Sequence, residues 1–170
     1  MSYRRKPLPP LDDLLSRLCY DEKTGVLTWR IDVSQRKKAG SIAGKSGPRG
    51  YVWVTINYVQ YLAHRIIWAM YYGEPPPAII DHIDGNPSNN AIENLRSATN
   101  RQNLWNAGPT KRSKTGIRGV CQLKSGKKRW RADIRINGRL TCLGFYATAE
   151  EASEAYKQAA ISHRGDYAKW

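Results

Sequence analysis

The stretch "DHIDGNPSNNAIENLRSATNRQN", residues 81 to 103, carries an Asp-His pair and six asparagines but only two cations, Arg96 and Arg101. "AIIDH" at 78 to 82 reads as a short strand that delivers its last two residues to a loop. That loop, "IDGNPSNN" at 83 to 90, is built from Gly, Pro and Asn, each a turn former. "NLRSA" at 94 to 98 predicts a second short strand, and Thr99 is placed to N-cap a helix over "NRQNLWNA", stopped by Gly108 and Pro109. The order is strand, loop, strand, helix.

Upstream, "LDDLLSRLCY" has leucines at helical spacing (Leu11, Leu14, Leu15, Leu18) and predicts a short amphipathic helix. "GVLTWR" at 25 to 30 and "GYVWVTINYVQYLAH" at 50 to 64 are β-branched, aromatic or alternating, which suits strands, the last two paired through a turn near Asn57. "HRIIWAMYYG" at 64 to 73 reads as a buried helix ended by Gly73 and the run from Pro75 to Pro77. Downstream, "RGVCQLK", "RWRADIRING" and "RLTCLGFY" are three strands, the last two joined by an Asn137-Gly138 hairpin turn. Thr148 and Glu151 form a capping-box pattern that opens a helix over "AEEASEAYKQAAISHRG", whose Ala152, Ala155, Tyr156 and Ala159 suit close packing on a sheet.

The charge is uneven. Lys and Arg number 28 against 14 Asp and Glu, a formal +14, which favours a polyanionic partner, with nucleic acid ahead of an anionic membrane surface. Residues 1–107 hold 14 basic and 9 acidic groups, whereas 108–170 hold 14 and 5. The polar stretch "NAGPTKRSKTG" between them places a linker at 108–114, a first domain at 1–107 and a second at 115–170. No apolar run approaches the roughly 20 residues that span a bilayer, and "MSYRRKPLPPLDDLL" lacks the apolar core of a signal peptide. The expectation is a soluble intracellular protein. Cys19, Cys121 and Cys142 are odd in number and far apart, which predicts reduced structural thiols, not a zinc ribbon.

A phosphodiester hydrolase needs a base for the attacking water and positive charge for the phosphorane and the departing oxygen. A neutral His supplies the first, and a hard divalent cation held by oxygen ligands supplies the second. An Asp with an Asn carboxamide fits that demand. The alternative for Asn86, Asn89, Asn90 and Asn100 is turn formation and helix capping. An EF-hand is excluded, because no Glu stands at the required offset from Asp81 or Asp84.

The joint pattern "HRIIWAMYYGEPPPAIIDHIDGNPSNNAIENLRSATNRQN" resembles the HNH endonucleases of phage and mobile introns, in the variant whose third signature residue is Asn. The resemblance covers roughly residues 20 to 106 and implies a ββα-metal (His-Me finger) nuclease domain. It also implies a divalent cofactor, Mg²⁺ with Mn²⁺ as the alternative, and double-stranded DNA as substrate. Carried over residue by residue, it makes His82 the general base and Asp81 and Asn103 the metal ligands. Asn94 holds the loop and steadies the imidazole. Neighbours in a regular strand face opposite ways, so the strand is expected to end or twist at Asp81-His82 for both to reach one site. His64, in "AHR", takes an orienting or core role, and His163 a surface or packing one.

In "RWRADIRING" the period-two alternation puts Trp130, Ala132, Ile134 and Ile136 on one face and Arg129, Arg131, Asp133, Arg135 and Asn137 on the other. Arg118 and Arg139 flank this cationic face, with Lys124, Lys127 and Lys128 in the neighbouring hairpin. "GIRGV", "WRADIRING", "LGFYATAEEASEAYKQAA" and "GDYA" resemble the ethylene-response-factor type of DNA-binding domain, which reads the major groove with a three-stranded sheet backed by a helix. That resemblance implies DNA contacts from Arg118, Trp130, Arg131, Arg135 and Arg139, and the cationic face and its hairpin add Arg129 and Lys124 as expected contacts. Cys121 stands where the family often has a base-reading arginine and Cys142 where it has a tryptophan, so the docking mode carries over and the target sequence does not.

The fold class expected is therefore α+β, a ββα-metal domain followed by a three-stranded antiparallel sheet on one helix. The function expected is an HNH homing-type, metal-dependent DNA endonuclease of phage or mobile-element origin, acting in the cytoplasm of a bacterial host. A monomer of this kind nicks one strand, and a double-strand break requires a dimer or a second visit. The rival is a non-catalytic DNA-binding regulator that keeps the nuclease fold; a third reading has RNA as substrate.

Overall fold

A computed structural model of the chain describes residues 6–107, 113–125 and 129–169. The expected stops at Gly108 and Pro109, most of the expected linker, and Lys127 and Lys128 lie outside the described residues. The molecule is a mixed α/β structure of small antiparallel sheets and four helices, in two compact units divided between Thr99 and Asn100.

The first unit opens with helix α1 (Leu11–Arg17), followed by strands β1 (Leu18–Asp21) and β2 (Val26–Trp29) paired antiparallel. Leu18 thus belongs to a strand, not to the helix its spacing predicts. It still lies on the same apolar side as Leu14, and both are fully buried, so one core accepts either geometry. Strands β3 (Lys45–Ser46), β4 (Val52–Ile56) and β5 (Val59–Leu62) form a three-stranded sheet. The β4–β5 turn runs through Asn57 and Tyr58, both at positive φ (48° and 62°), which is the two-residue hairpin geometry that follows strand twist.

Helix α2 (Ala63–Tyr72) follows directly and ends at Gly73, whose φ of 69° is the left-handed C-cap that glycine adopts without strain. It buries Ile66, Ile67 and Trp68 against Leu14, Trp29 and Val54. Each such side chain contributes about 1.5–3 kcal/mol of apolar transfer, so this core fixes α2 beneath the sheets. Strands β6 (Ile80–His82) and β7 (Leu95–Ser97) pair antiparallel, with Asp81 opposite Arg96 and His82 opposite Leu95.

The second unit begins with helix α3 (Asn100–Asn106). The sequence boundary at 108–114 assigned this helix to the first domain, whereas its contacts group it with the second. Strands β8 (Val120–Gln122), β9 (Trp130–Ile136) and β10 (Arg139–Tyr146) form an antiparallel sheet with β9 in the centre. Asn137 and Gly138, at φ 47° and 83°, make the β9–β10 turn. Helix α4 (Ala149–Arg164) lies on this sheet. Its N-terminus is capped reciprocally: Thr148 Oγ1 accepts from the Glu151 N–H at 3.1 Å, and Glu151 Oε2 accepts from the Ala147 N–H at 3.0 Å. Ala132 and Ile134 meet Ala152, Tyr156 and Ala160 in a second core. Gly119 is required there, since a Cβ at its φ of 70° would stand 2.1 Å from the Tyr156 ring. Among the described residues no helix is long and apolar enough to cross a membrane.

Candidate active site

The β6–β7 ribbon and its loop are held by carboxamides. Asp84 accepts from the Asn86 N–H (2.7 Å), Asn89 Nδ2 (2.8 Å) and Asn94 Nδ2 (3.0 Å). Burial alone would raise its pKa, but these donors together hold the carboxyl below the usual aspartate value, so it is ionised at neutral pH. Asn94 is buried and closes the loop from the other side. Its Oδ1 accepts from the Asp84 N–H at 2.9 Å, and its Nδ2 also reaches the Asn89 carbonyl at 2.8 Å. Ser88 Oγ ties the loop to the first sheet through the Gly50 carbonyl at 2.8 Å.

His82 ends β6 with 5% of its surface exposed. Its Nε2 lies 3.2 Å from Asn90 Oδ1, while Asn90 Nδ2 donates to the Ser88 carbonyl at 3.2 Å. With the amide oriented by Ser88, its oxygen faces the imidazole, so the neutral ring that donates to it carries its proton on Nε2. The rings of His64 and Tyr51 both stand edge-on to it, at centroid distances of 5.2 and 5.9 Å. Burial pushes the His82 pKa down, opposed by the Asn90 bond and by the charges of Asp84 and Asp81. The imidazole is neutral at pH 7.

Asn90 is in turn fixed from 70 residues away. The Tyr20 hydroxyl donates to the Asn90 carbonyl at 3.2 Å and accepts from the Ile92 N–H at 2.9 Å. Gly25, in the turn after β1, lets that backbone approach: a Cβ there would lie 2.3 Å from the Ala91 nitrogen. Neither Asn90 nor Tyr20 stood out in the sequence as a site residue. Asn90 belongs to the Asn89-Asn90 element of the HNH resemblance without a role of its own there, and Tyr20 falls inside the expected helix.

Asp81 is buried, and its Oδ2 takes Arg96 Nε at 2.9 Å and Nη2 at 2.8 Å across the ribbon. Strand β6 ends at His82, as expected for the Asp81-His82 pair, with Asp81 and His82 still paired to Arg96 and Leu95. Asn103 is exposed on α3, in the second unit. The structure thus assembles His82, Asn90, Asn94 and Asp84 around one loop, sets Asp81 beside them on the ribbon, and carries Asn103 on a separate unit. Among the described residues no three His, Cys, Asp or Glu side chains cluster as ligands. An ion at Asp81 would rely on carboxylate and carboxamide oxygens, the donor set of a hard cation and not of zinc.

On the second unit, Arg129, Arg135, Arg139 and Lys124 are exposed. Arg131 is paired with Asp133 through two bonds of 2.9 Å to one oxygen. Trp130 packs toward the second core. Arg118, expected to contact DNA, instead donates to the carbonyls of Leu104 (2.8 Å), Trp105 (2.6 Å) and Ala107, at the C-terminal end of α3.

Residues 61–104 match the HNH endonuclease family. Protein 3.8 of Escherichia phage T7 is 36% identical over 77 residues, which is 45% of this chain and 63% of that protein. An uncharacterized HNH endonuclease of Acanthamoeba polyphaga mimivirus is 32% identical over 124 residues, covering 72% of this chain and 63% of its own length. The matched part therefore spans just under two thirds of each of these relatives.

Proposed function

We propose that the chain is a metal-dependent DNA endonuclease of the HNH homing type in its H-N-N variant. The first unit cuts double-stranded DNA, and the second, of ethylene-response-factor type, selects the site through Arg129, Arg135, Arg139 and Lys124. The observation that carries this reading is His82: a buried, neutral imidazole inside the segment that matches the HNH family, with Nε2 tied to Asn90. His82 takes the proton of the attacking water, and Asn90 keeps the ring from turning as the charge develops. The neighbouring carboxylates of Asp81 and Asp84 stabilise the imidazolium. Asn94 maintains the loop on which this depends.

Asp81 and Asn103 would hold the divalent cation, Mg²⁺ or Mn²⁺, which when bound supplies positive charge to the phosphorane and the departing 3′ oxygen. Asp84 instead accepts from the loop amides and holds the loop in shape. The products are 5′-phosphate and 3′-hydroxyl ends.

Nicking of supercoiled plasmid in Mg²⁺ tests the reading. Wild type converts it to open circle, and His82→Ala is inactive while retaining DNA affinity. The Asp81–Arg96 ion pair favours the rival, a DNA-binding regulator on a nuclease scaffold, because it gives the carboxylate a partner without any metal. Binding by wild type without cleavage in Mg²⁺ or Mn²⁺ would establish that rival. A parallel digestion of structured RNA decides between the two nucleic acids.

A further inference from the structure

The second unit carries an open cleft of about 420 Å³ between α3, the β9–β10 turn and the end of α4. Four guanidinium groups line it, those of Arg101, Arg118, Arg135 and Arg164, and Trp105 forms part of the wall. No carboxylate is among its lining residues.

Arg164 is the informative member. It is 8% exposed, its Nη1 donates to the Tyr156 hydroxyl at 2.8 Å, and its guanidinium stands over the rings of Trp105 and Tyr156 at 5.8 and 5.5 Å. Its Nε is buried with no hydrogen-bond partner among the described residues. A buried cation with an unanswered donor is unfavourable unless an anion answers it. Arg118 beside it is already pushed toward a weaker cation, by burial first and by the like charge of Arg164 as well. Its donors are taken by the α3 carbonyls, so it contributes charge and rigidity to the wall. Arg101 and Arg135 are exposed at the rim.

Four like charges around one cleft repel one another, and the arrangement is relieved by a bound polyoxyanion. The volume exceeds that of a single ion, and Trp105 offers an apolar surface alongside the charge, which together suit a phosphate with its attached sugar. We propose that this cleft is a phosphodiester pocket that grips one backbone phosphate of a nucleic-acid strand, in addition to the contacts made by the sheet. The inference rests on the reading of the chain as DNA-binding and assigns Arg164 and Arg101 as the gripping residues.

The test uses the full chain with ¹⁵N-labelled arginine. Titrating inorganic phosphate, and then a duplex in the presence of chelator, moves the Arg164 Nε–Hε signal in both arms. In parallel, log affinity for the duplex is measured against log salt. Arg101→Gln, exposed and without a structural bond to lose, and Arg164→Gln each make the slope shallower by about 0.9, the value of one phosphate contact. Arg36→Gln, an equal loss of charge in the first unit, leaves it unchanged. An Arg164 signal unmoved by phosphate and by duplex, with the Arg101→Gln slope unaltered, overturns the pocket. A signal moved by phosphate and not by duplex overturns its assignment to a nucleic-acid strand. Plasmid nicking is scored separately: no cleavage with the slope change intact removes the endonuclease reading and leaves the pocket standing.

Discussion

Replacing Tyr20 with Phe removes one oxygen that connects two strands of sequence 70 residues apart. The ring stays, so packing is unchanged and the perturbation is confined to two hydrogen bonds. The Ile92 N–H, on a residue 7% exposed, loses its acceptor, and the Asn90 carbonyl loses a longer bond. An unsatisfied buried donor costs about 1–3 kcal/mol and the second bond about 0.5–1, so Tyr20→Phe should destabilise the first unit by about 2 kcal/mol. For a unit of this size that lowers the melting temperature by roughly 8–16 °C. The effect has a pH signature. Burial raises the Tyr20 pKa above its ordinary value near 10, partly opposed by the Ile92 N–H, because the folded state favours the neutral phenol. A raised folded pKa gives stability that is complete below pH 10 and is lost as pH rises through the folded value. The gap between wild type and Tyr20→Phe is therefore constant from pH 6 to 9 and narrows above 10, as read from urea midpoints at each pH. Nicking should fall with the loosened Asn90 while DNA affinity holds. Equal urea midpoints for the two proteins at pH 7 would refute the reasoning.

Asn94→Ala deletes three hydrogen bonds on the Asp84 loop and should cost about 2–4 kcal/mol, with loss of nicking; a melting curve that matches wild type would show that Asn94 does not hold the loop. Arg96→Met leaves the buried Asp81 carboxylate without its ion pair, a loss of about 3–5 kcal/mol that millimolar Mg²⁺ should offset more in the variant than in wild type. Equal Mg²⁺ shifts in differential scanning calorimetry would argue against Asp81 as a ligand. Gly119→Ala forces a Cβ into the Tyr156 ring at positive φ and should destabilise the second unit by about 2–5 kcal/mol, with the transition of the first unit unmoved.

Much of the architecture follows from local signals. Asn137-Gly138 specified its hairpin because both residues accept positive φ, and Gly73 ended α2 for the same reason. The alternation in "RWRADIRING" placed Ala132 and Ile134 inward because a half-buried strand has a period of two. Leu18 went astray because a leucine four residues after Leu14 satisfies a helix and a strand start equally well when both face one core. The short β3 strand gave no apolar pattern, since both its residues are exposed. At the candidate site, the crowding of Asp, His and Asn was visible, and the structure gives Asn94 and Asp84 the loop. What holds His82 was not visible. Asn90 resembles every other turn asparagine until its side chain is seen against the ring, and Tyr20 and Gly25 reach it only through long-range folding that no local period encodes.

The arginines of the second unit show the same limit from the side of charge. A count of cations treats Arg118, Arg131, Arg135 and Arg164 alike, yet their environments divide them. Arg118 answers the carbonyls that α3 leaves open at its C-terminus, where a cation is favoured by the helix dipole as well. Arg131 is held by Asp133, a half-buried pair that orients its guanidinium along the sheet. Arg135 gives one bond to the Gly138 carbonyl and keeps the rest of its fork at the surface. Arg164 is buried against two aromatic rings with one donor unanswered. Arg118 spends the most donors internally and Arg135 and Arg164 the fewest, so the residues that grip a strand should be found by subtracting internal obligations from the list of charges. By that reasoning Arg118→Gln should weaken the second unit's stability far more than its salt-dependent DNA affinity, and Arg135→Gln should do the reverse. Denaturation midpoints and salt slopes measured on both variants decide it, and an Arg118→Gln protein that melts like wild type but binds DNA with a shallower slope would reverse the assignment.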